Sequence, residues 1–170
     1  NKDDGGDRSF ILVQLPEPVE NIGFSTIAEV TKERIRRFGK KLVEENKLLS
    51  SDVGFKVFKL DSSNIHAWEP DRDNLQKSLL DAINHLNSDR TEQDILYELL
   101  LKLGLSLTVD IQERTIENKV VYSIGAGTLI VCLAEQISTS EVEDLAHGIA
   151  KWQKVLSPSG ETTCVFRDSA

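Results

Sequence analysis

The sequence predicts an α/β fold, and three observations support this prediction. An apolar run at residues 10–15 is closed by Pro16, as in a strand that is buried on both faces of a sheet. Helical spacing of apolar residues recurs in four segments: 26–45, 73–86, 92–103 and 140–150. After Gly104 the pattern changes to the alternation that is typical of strands. Segments of both kinds follow one another along the chain, so we expect a sheet with helices packed on it.

In the first third of the chain, the residue pattern predicts one helix with a strand before it and a strand after it. The strand from Phe10 to Leu15 is followed by a loop with two prolines, and Thr26 with Glu29 then forms a capping box that opens the helix. Five residues make up the apolar stripe of this helix: Ile27, Val30, Ile35, Phe38 and Leu42. Residues 54–60 are rich in aromatic and branched side chains and predict a second strand, which ends at the turn residues 61–64.

Two leucine-bearing helices follow. The first covers residues 73–86, and Thr91 then opens a helix from Glu92 to Leu103 that stops at Gly104. Five leucines lie between positions 96 and 103, which is more than one narrow stripe requires. We therefore expect this helix either to be sandwiched on two sides or to present apolar surface to another chain.

In the last third of the chain, the residue pattern predicts strands, a hairpin turn and one more helix. Gly125-Ala126-Gly127 could form a phosphate-binding loop or a hairpin turn, and we favour the turn because a strand follows it. Ser140 with Glu143 predicts the cap of a last helix. After Gly104 we predict a strand of alternating apolar and polar residues that ends at Ile116, and a turn at 117–119. Two further strands are predicted from Val120 to Ile124 and from Thr128 to Leu133. The last helix is predicted to end at Ala150, and a final strand is predicted from Thr162 to Phe166.

The composition predicts one soluble globular domain that is part of a longer product. The 170 residues are 39% hydrophobic and 28% charged, and no apolar run approaches the roughly 20 residues of a membrane helix. The first residues lack the order of a secretory signal, and methionine occurs nowhere. Cys132 and Cys164 lie in apolar runs without a CxxC neighbour, which predicts buried reduced thiols and a cytoplasmic protein.

Two candidate sites follow from position and charge. Open α/β sheets bind ligands where their parallel strands end, which places residues 14–17 at the expected cofactor edge. The net charge of −8 argues against a nucleic-acid clamp over the whole chain, but six cations lie within ten residues of the first helix: Lys32, Arg34, Arg36, Arg37, Lys40 and Lys41. This cluster is either a solvated helix face or a contact to DNA phosphates or to an acidic partner. The three histidines are scattered singly, so we predict no metal site.

Several ordered segments resemble one family of enzymes. Phe10-Ile-Leu-Val-Gln14, the loop after it and the helix that begins at Thr26 resemble a stretch of DNA amino-methyltransferases of the β arrangement. Four later segments resemble the C-terminal region of type III restriction-modification methylase subunits: Val57 to Asn64, Asp94 to Gly104, Val121 to Val131 and Val165 to Ser169. The resemblance covers nearly the entire chain.

The resemblance implies methyl transfer from S-adenosylmethionine to the exocyclic amine of an adenine flipped out of duplex DNA. It also implies a single domain over residues 1–170, with a Rossmann-like methyltransferase sheet remnant in residues 1–50 and a C-terminal α/β extension that contains a β-hairpin in residues 51–170. The family's catalytic Asp-Pro-Pro-Tyr and Phe-x-Gly-x-Gly motifs are absent, so no catalytic residue is assigned and the chain alone is expected to be inactive. Gln14 stands where relatives carry an acid that accepts from the cofactor ribose, so Gln14 is the candidate cofactor contact and Glu17 the second choice.

The resemblance implies DNA, a restriction subunit and a second methylase subunit as partners. The candidate residues for DNA or partner contact are Arg34, Arg36, Arg37, Lys40 and Lys41. The candidate surfaces for the homodimer and the restriction subunit are the leucine-rich helix and the strand from Thr128 to Leu133. Two other hypotheses stay open: a pure interaction module that binds neither cofactor nor DNA, and an unrelated cytoplasmic α/β domain.

Overall fold

The computed structural model describes residues 9–20, 23–45, 52–66, 71–76, 78 and 86–167. This part of the chain contains three helices and one four-stranded sheet, which confirms a mixed α/β fold. The chain divides into two compact units, Asn1–Val57 and Phe58–Ala170. That residues 1–170 form a single domain, divided near residue 50, stays a prediction. Most of the predicted helix at 73–86 lies outside the described residues.

The first unit is built on helix α1, Ile27–Glu45, which confirms the helix predicted from Thr26 to Glu45. The Thr26 hydroxyl accepts from the Glu29 amide at 3.3 Å, as a capping box requires. The Glu29 carboxylate accepts from the Ser25 amide at 2.8 Å, one residue before the position that the motif predicts. The first helical amide, that of Ile27, donates to the Glu17 carbonyl at 2.9 Å. The Ile27 and Glu29 amides at the start of α1 are thus satisfied by residues that precede the helix.

The predicted strand at residues 10–15 is not formed in the described part of the chain. No described strand pairs with this run, and its large side chains are exposed by 60–92%. A strand that is buried on both faces needs neighbouring strands and a covering layer, and the described residues of this unit supply one helix and no sheet. The predicted strand at residues 54–60 is likewise not formed. The apolar pattern indicates that these side chains prefer burial, but a β-strand also needs a neighbouring strand with which to form backbone hydrogen bonds.

The apolar stripe of α1 is confirmed at four positions and wrong at the fifth. Ile27, Val30, Ile35 and Leu42 are half-buried. Phe38 is 61% exposed, because the buried side of the helix is centred instead on Gly39, which packs beside Val53. Phe38 therefore lies among the cations of the helix surface.

The second unit is organised around a mixed sheet. Its strands are β1 (Ile111–Ile116), β2 (Lys119–Ile124), β3 (Leu129–Cys132) and β4 (Thr163–Phe166), in the order β1-β2-β3-β4. The pairs β1/β2 and β2/β3 are antiparallel, and β3/β4 is parallel. Helix α2 (Glu92–Lys102) precedes the sheet, and helix α3 (Val142–Leu156) connects β3 to β4. The predicted strands after Gly104 are confirmed within a few residues at their ends.

The two hairpin turns of the sheet need left-handed backbone. Glu117 and Asn118 have φ of 46° and 59°, as in the primed turns that match the twist of paired strands. The next loop has positive φ at three successive residues, Gly125, Ala126 and Gly127. Its Thr128 amide donates to the Gly125 carbonyl at 3.3 Å, which closes the loop onto β3. The prediction of a hairpin turn at this Gly-x-Gly is confirmed.

Each face of the sheet carries a separate core. One core joins α2 to the sheet through Leu96, Leu100, Tyr122, Ile124, Leu129, Val131 and Leu133. The other joins α3 to the opposite face through Val121, Ile130, Cys132, Leu145, Ile149 and Trp152. Because successive strand residues point to opposite faces, the central strands β2 and β3 are apolar at nearly every position.

Helix α3 differs from its predicted bounds at both ends. It begins at Val142 after Glu141, and the Ser140 hydroxyl makes no cap. The Glu141 carboxylate instead accepts from the Ser138 amide and hydroxyl at 2.8 and 2.7 Å. The helix continues past Ala150 to Leu156, and Ser157 then turns it with φ of 48°. The cap predicted at Ser140 and Glu143 is therefore wrong, because Glu141 competes for the same turn.

The two thiols are both free but differ in burial. Cys132 lies in the core on β3, as predicted. Cys164 is exposed, which contradicts the prediction, because it lies on the outer strand β4. Partial burial nevertheless raises the pKa of the Cys164 thiol. Among the described residues, no helix is long and apolar enough to cross a membrane.

Candidate functional site

The predicted cofactor residues lie in the segment that leads into α1. Gln14 is exposed, and its side-chain Nε2 donates to the Leu15 carbonyl at 3.2 Å. Glu17 is also exposed, and its carbonyl bonds to the first turn of α1. Pro18 forms a bridge with Thr26, so these two residues meet at the start of α1. No described strand ends at Gln14, and its contact with a cofactor stays a prediction.

The five predicted contact cations are all exposed on α1. Arg37 Nε lies 2.7 Å from Glu33, and Lys40 and Lys41 lie 3.8 and 3.7 Å from Glu44 and Glu45. Arg36 lies 3.9 Å from Glu33 and 5.9 Å from the centre of the Phe55 ring. Arg34 makes no ion pair with another described residue.

The α1 surface keeps a modest positive charge. The helix contains six cations and four carboxylates, so its formal charge is +2. Exposed pairs of this kind contribute about 0–1 kcal/mol each, so a phosphate could replace the carboxylate partners at small cost. The arrangement is compatible with a solvated face and with a phosphate contact.

A polar network that the sequence did not reveal joins the turn at residues 61–64 to α2. The Glu98 carboxylate accepts from the Ser63 hydroxyl at 2.6 Å and from the Asn64 amide at 2.7 Å. Lys102 lies 3.1 Å from the same carboxylate. Arg90 binds the Ser62 hydroxyl at 2.9 Å. The turn itself was predicted, but its partners lie about 30 positions later, and no local pattern indicates such a pairing.

Glu98 is held as a carboxylate. Partial burial opposes its ionisation, but the hydrogen bonds from Ser63 and the Asn64 amide, together with Lys102, outweigh burial and lower its pKa to about 2. Asp61 beside Arg90 also has a lowered pKa, chiefly through the Ser62 amide. Ionised groups that are fully bonded in this way support structure rather than proton transfer.

One of the two predicted partner surfaces is wrong. The strand Thr128 to Leu133 contains β3, whose four residues are all buried because β2 and β4 flank it and a core covers each face. For the leucine-rich helix α2, both expected alternatives hold in part. Leu96 and Leu100 face the sheet, and Tyr97 and Glu98 contact residues of the segment 58–64. Leu101 and Leu103, at the end of the helix, are 61% and 50% exposed and remain available as a surface.

The described residues contain no group of three His, Cys, Asp or Glu side chains that could hold a metal ion. His66 and His147 are exposed, and His85 lies outside the described residues. Tyr122 donates to Glu92 at 3.3 Å, and burial followed by the Glu92 charge raises its pKa.

Comparisons with known proteins give one partial similarity. The chain is 37% identical over 65 residues to the type III restriction-modification enzyme StyLTI Mod subunit of Salmonella typhimurium. The matched region is 35% of this chain and 10% of the relative, so the chain spans about a tenth of the length of the curated relative that it matches. No family model matches the chain. No solved structure matches it. The chain is thus distantly similar, over part of its length, to the Mod subunit of a type III restriction-modification enzyme.

Proposed function

We propose that this chain is the C-terminal portion of an adenine-specific DNA methyltransferase, the modification subunit of a type III restriction-modification system. The observation that carries the proposal is the 37% identity over 65 residues to a Mod subunit. The ordered segments that resemble type III methylases support the same assignment. In this proposal the full-length protein uses S-adenosylmethionine to methylate the adenine amine in duplex DNA, and this chain alone is inactive.

The exposed apolar run at residues 10–15 supports a place in a larger sheet. Its five large apolar side chains are 60–92% exposed, and burial of each would contribute about 1.5–3 kcal/mol. A run that is apolar on both sides suits the interior of a parallel sheet better than an edge. We infer that the rest of the methyltransferase supplies the neighbouring strands.

The predicted cofactor contacts have no neighbouring strand among the described residues. Gln14 and Glu17 lie in an exposed segment without a sheet edge in the described residues, so no step of methyl transfer is assigned to them. In the full-length protein, a strand that ends at Gln14 would bring its amide oxygen to the cofactor edge. That oxygen could accept a ribose hydroxyl, without the charge assistance of a carboxylate.

The proposed roles of the surfaces follow from charge and exposure. The α1 cations would contact DNA phosphates at the rim of the complex, and Leu101 and Leu103 would meet a second methylase subunit or the restriction subunit. Replacing Arg34 and Lys41 with Ala in the full-length protein should weaken DNA binding and make its salt dependence shallower by roughly one unit per lost phosphate contact. The matched control is the pair Lys151→Ala and Lys154→Ala on α3. An equal loss of DNA affinity in both variants would show that α1 does not contact DNA specifically.

A second function remains supported by one observation. The unit Phe58–Ala170 has a core on each face of its sheet and could act as a module that only assembles subunits. Calorimetric titration with S-adenosylmethionine separates the two proposals. Heat with the full-length protein and none with this chain supports the methyltransferase, and no heat with either supports the assembly module.

The role of Gln14 is tested in the same titration. In the full-length protein, Gln14→Ala should weaken cofactor binding by about 3-fold to 10-fold, the value of one hydrogen bond, and Gln14→Glu should strengthen it. Gln112→Ala, at an exposed glutamine on β1, is the matched control and should leave the affinity unchanged. Unchanged affinity in all three variants would refute the ribose contact.

A further inference from the structure

The first residues of the second unit run along the outer face of α2. Phe58 packs edge to face on Tyr97, with ring centres 4.9 Å apart. Leu96 and Leu100 of the same helix lie in the core against the sheet, and Tyr97 is partly packed against that core. Residues 58–65, named the strap here, therefore contact α2 near both of their ends, through Phe58 at one end and through Ser63 and Asn64 at the other.

One carboxylate fastens the strap at its C-terminal end. Glu98 accepts both the Ser63 hydroxyl and the Asn64 amide, and Asn64 Nδ2 donates to the Asp94 carbonyl at 2.9 Å. Asn64 is only 8% exposed. Asn87 adds two bonds, from its amide to the Asn64 carbonyl and from its side chain to the Ser63 carbonyl, each 2.9 Å long.

The strap buries little apolar surface. Phe58, Leu60 and Ile65 are 46%, 98% and 40% exposed, whereas the core residues of the sheet are at most 6% exposed. Segments that are held by polar bonds and few apolar contacts open at a lower free energy than the core unfolds. The strap and the sheet should therefore differ in stability.

We propose that the strap is a releasable device with Glu98 as its latch: residues 58–65 leave α2 as one unit while the sheet and its two cores stay folded. Release uncovers the outer face of α2 at Tyr97 and Glu98. It also frees eight residues that directly follow the first unit, with a maximum span of roughly 28 Å. This proposal does not depend on the methyltransferase assignment.

Hydrogen exchange of the 170-residue chain tests the latch. Glu98→Gln removes the charge that binds the strap, so the Asn64 and Asn87 amides should exchange roughly 10-fold faster or more. Amides of β2 and β3 should keep their rates. Glu92→Gln, on the same helix but bonded to Tyr122, is the matched control and should leave the strap unchanged. Equal acceleration of all amides, or none at Asn64 and Asn87, would overturn the proposal.

Limited proteolysis gives a second readout that does not require a stable Glu98 variant. Ser63→Ala removes one bond to the latch from an exposed residue, so trypsin should cleave after Lys59 about 3-fold to 10-fold faster. Ser106→Ala, at an exposed serine after α2, is the control. Cleavage after Lys59 at the unchanged rate in the Ser63 variant would contradict a strap held at this point.

Discussion

Gly148 of α3 provides the sharpest test of the packing between the helix and the sheet. A methyl group at this position would overlap Cγ2 of Ile116, at the end of β1. The overlapped atom is a branch next to the backbone and cannot swing away, and overpacking of this kind costs about 1–3 kcal/mol. Alanine would otherwise stabilise a helix interior by roughly 0.5–1 kcal/mol relative to glycine. We expect Gly148→Ala to lower the free energy of unfolding by about 1–2 kcal/mol.

A double-mutant cycle separates the clash from helix propensity. In an Ile116→Ala background the overlap is absent, so the same glycine replacement should stabilise by about 0.5–1 kcal/mol. Urea unfolding followed by circular dichroism measures each variant. Gly160→Ala, where the new methyl meets nothing within 4 Å, should change stability by less than about 0.5 kcal/mol. Stabilisation by Gly148→Ala in the unmodified chain would refute the close approach of α3 to β1.

Three further predictions concern the second unit. Thr91→Ala removes the cap of α2 and should cost about 1 kcal/mol in urea unfolding, whereas Ser140→Ala should change little because Ser140 caps no helix. The pKa of Glu98 is lowered from 4.5 to about 2, so the stabilisation that its carboxylate contributes is present above pH 4.5 and is lost as the pH falls towards 2. Glu98→Gln should therefore make the free energy of unfolding depend less on pH in this range. The Ser123 hydroxyl is buried without a hydrogen-bond partner among the described residues, so Ser123→Ala should leave the melting temperature unchanged or higher, and a clear loss would reveal a missed bond.

The sequence predicts the second unit better than the first, for a physical reason. Its turns are encoded locally, by Glu117-Asn118 and by Gly125 to Gly127, and these turns join β1, β2 and β3 to their neighbours in the sheet, whereas β4 pairs with β3 across helix α3. The first helix was also predicted, because its cap and periodicity are local. The run at residues 10–15 carries an equally clear pattern, but no described strand lies beside it.

The candidate site was predictable only in part. The cations of α1 are visible in the sequence, and their pairing with Glu33, Glu44 and Glu45 follows the i,i+4 spacing of a helix, but the distances in these pairs come from the structure. The Glu98 latch joins residues that lie 34 and 35 positions apart, so no local rule could reveal it. Gln14 was predicted as a cofactor contact from its position in an apolar run and from the family resemblance. Both arguments assume neighbouring strands that the described residues do not supply.

Adenine methylation by the full-length protein is the proposed activity that one assay tests most directly. Incubation of that protein with duplex DNA and S-adenosylmethionine, followed by mass spectrometry of the nucleosides, measures the product directly. We predict N6-methyladenine with the full-length protein and none with the 170-residue chain alone. Unmodified adenine with the folded full-length protein, or methylation confined to cytosine, would contradict the proposal.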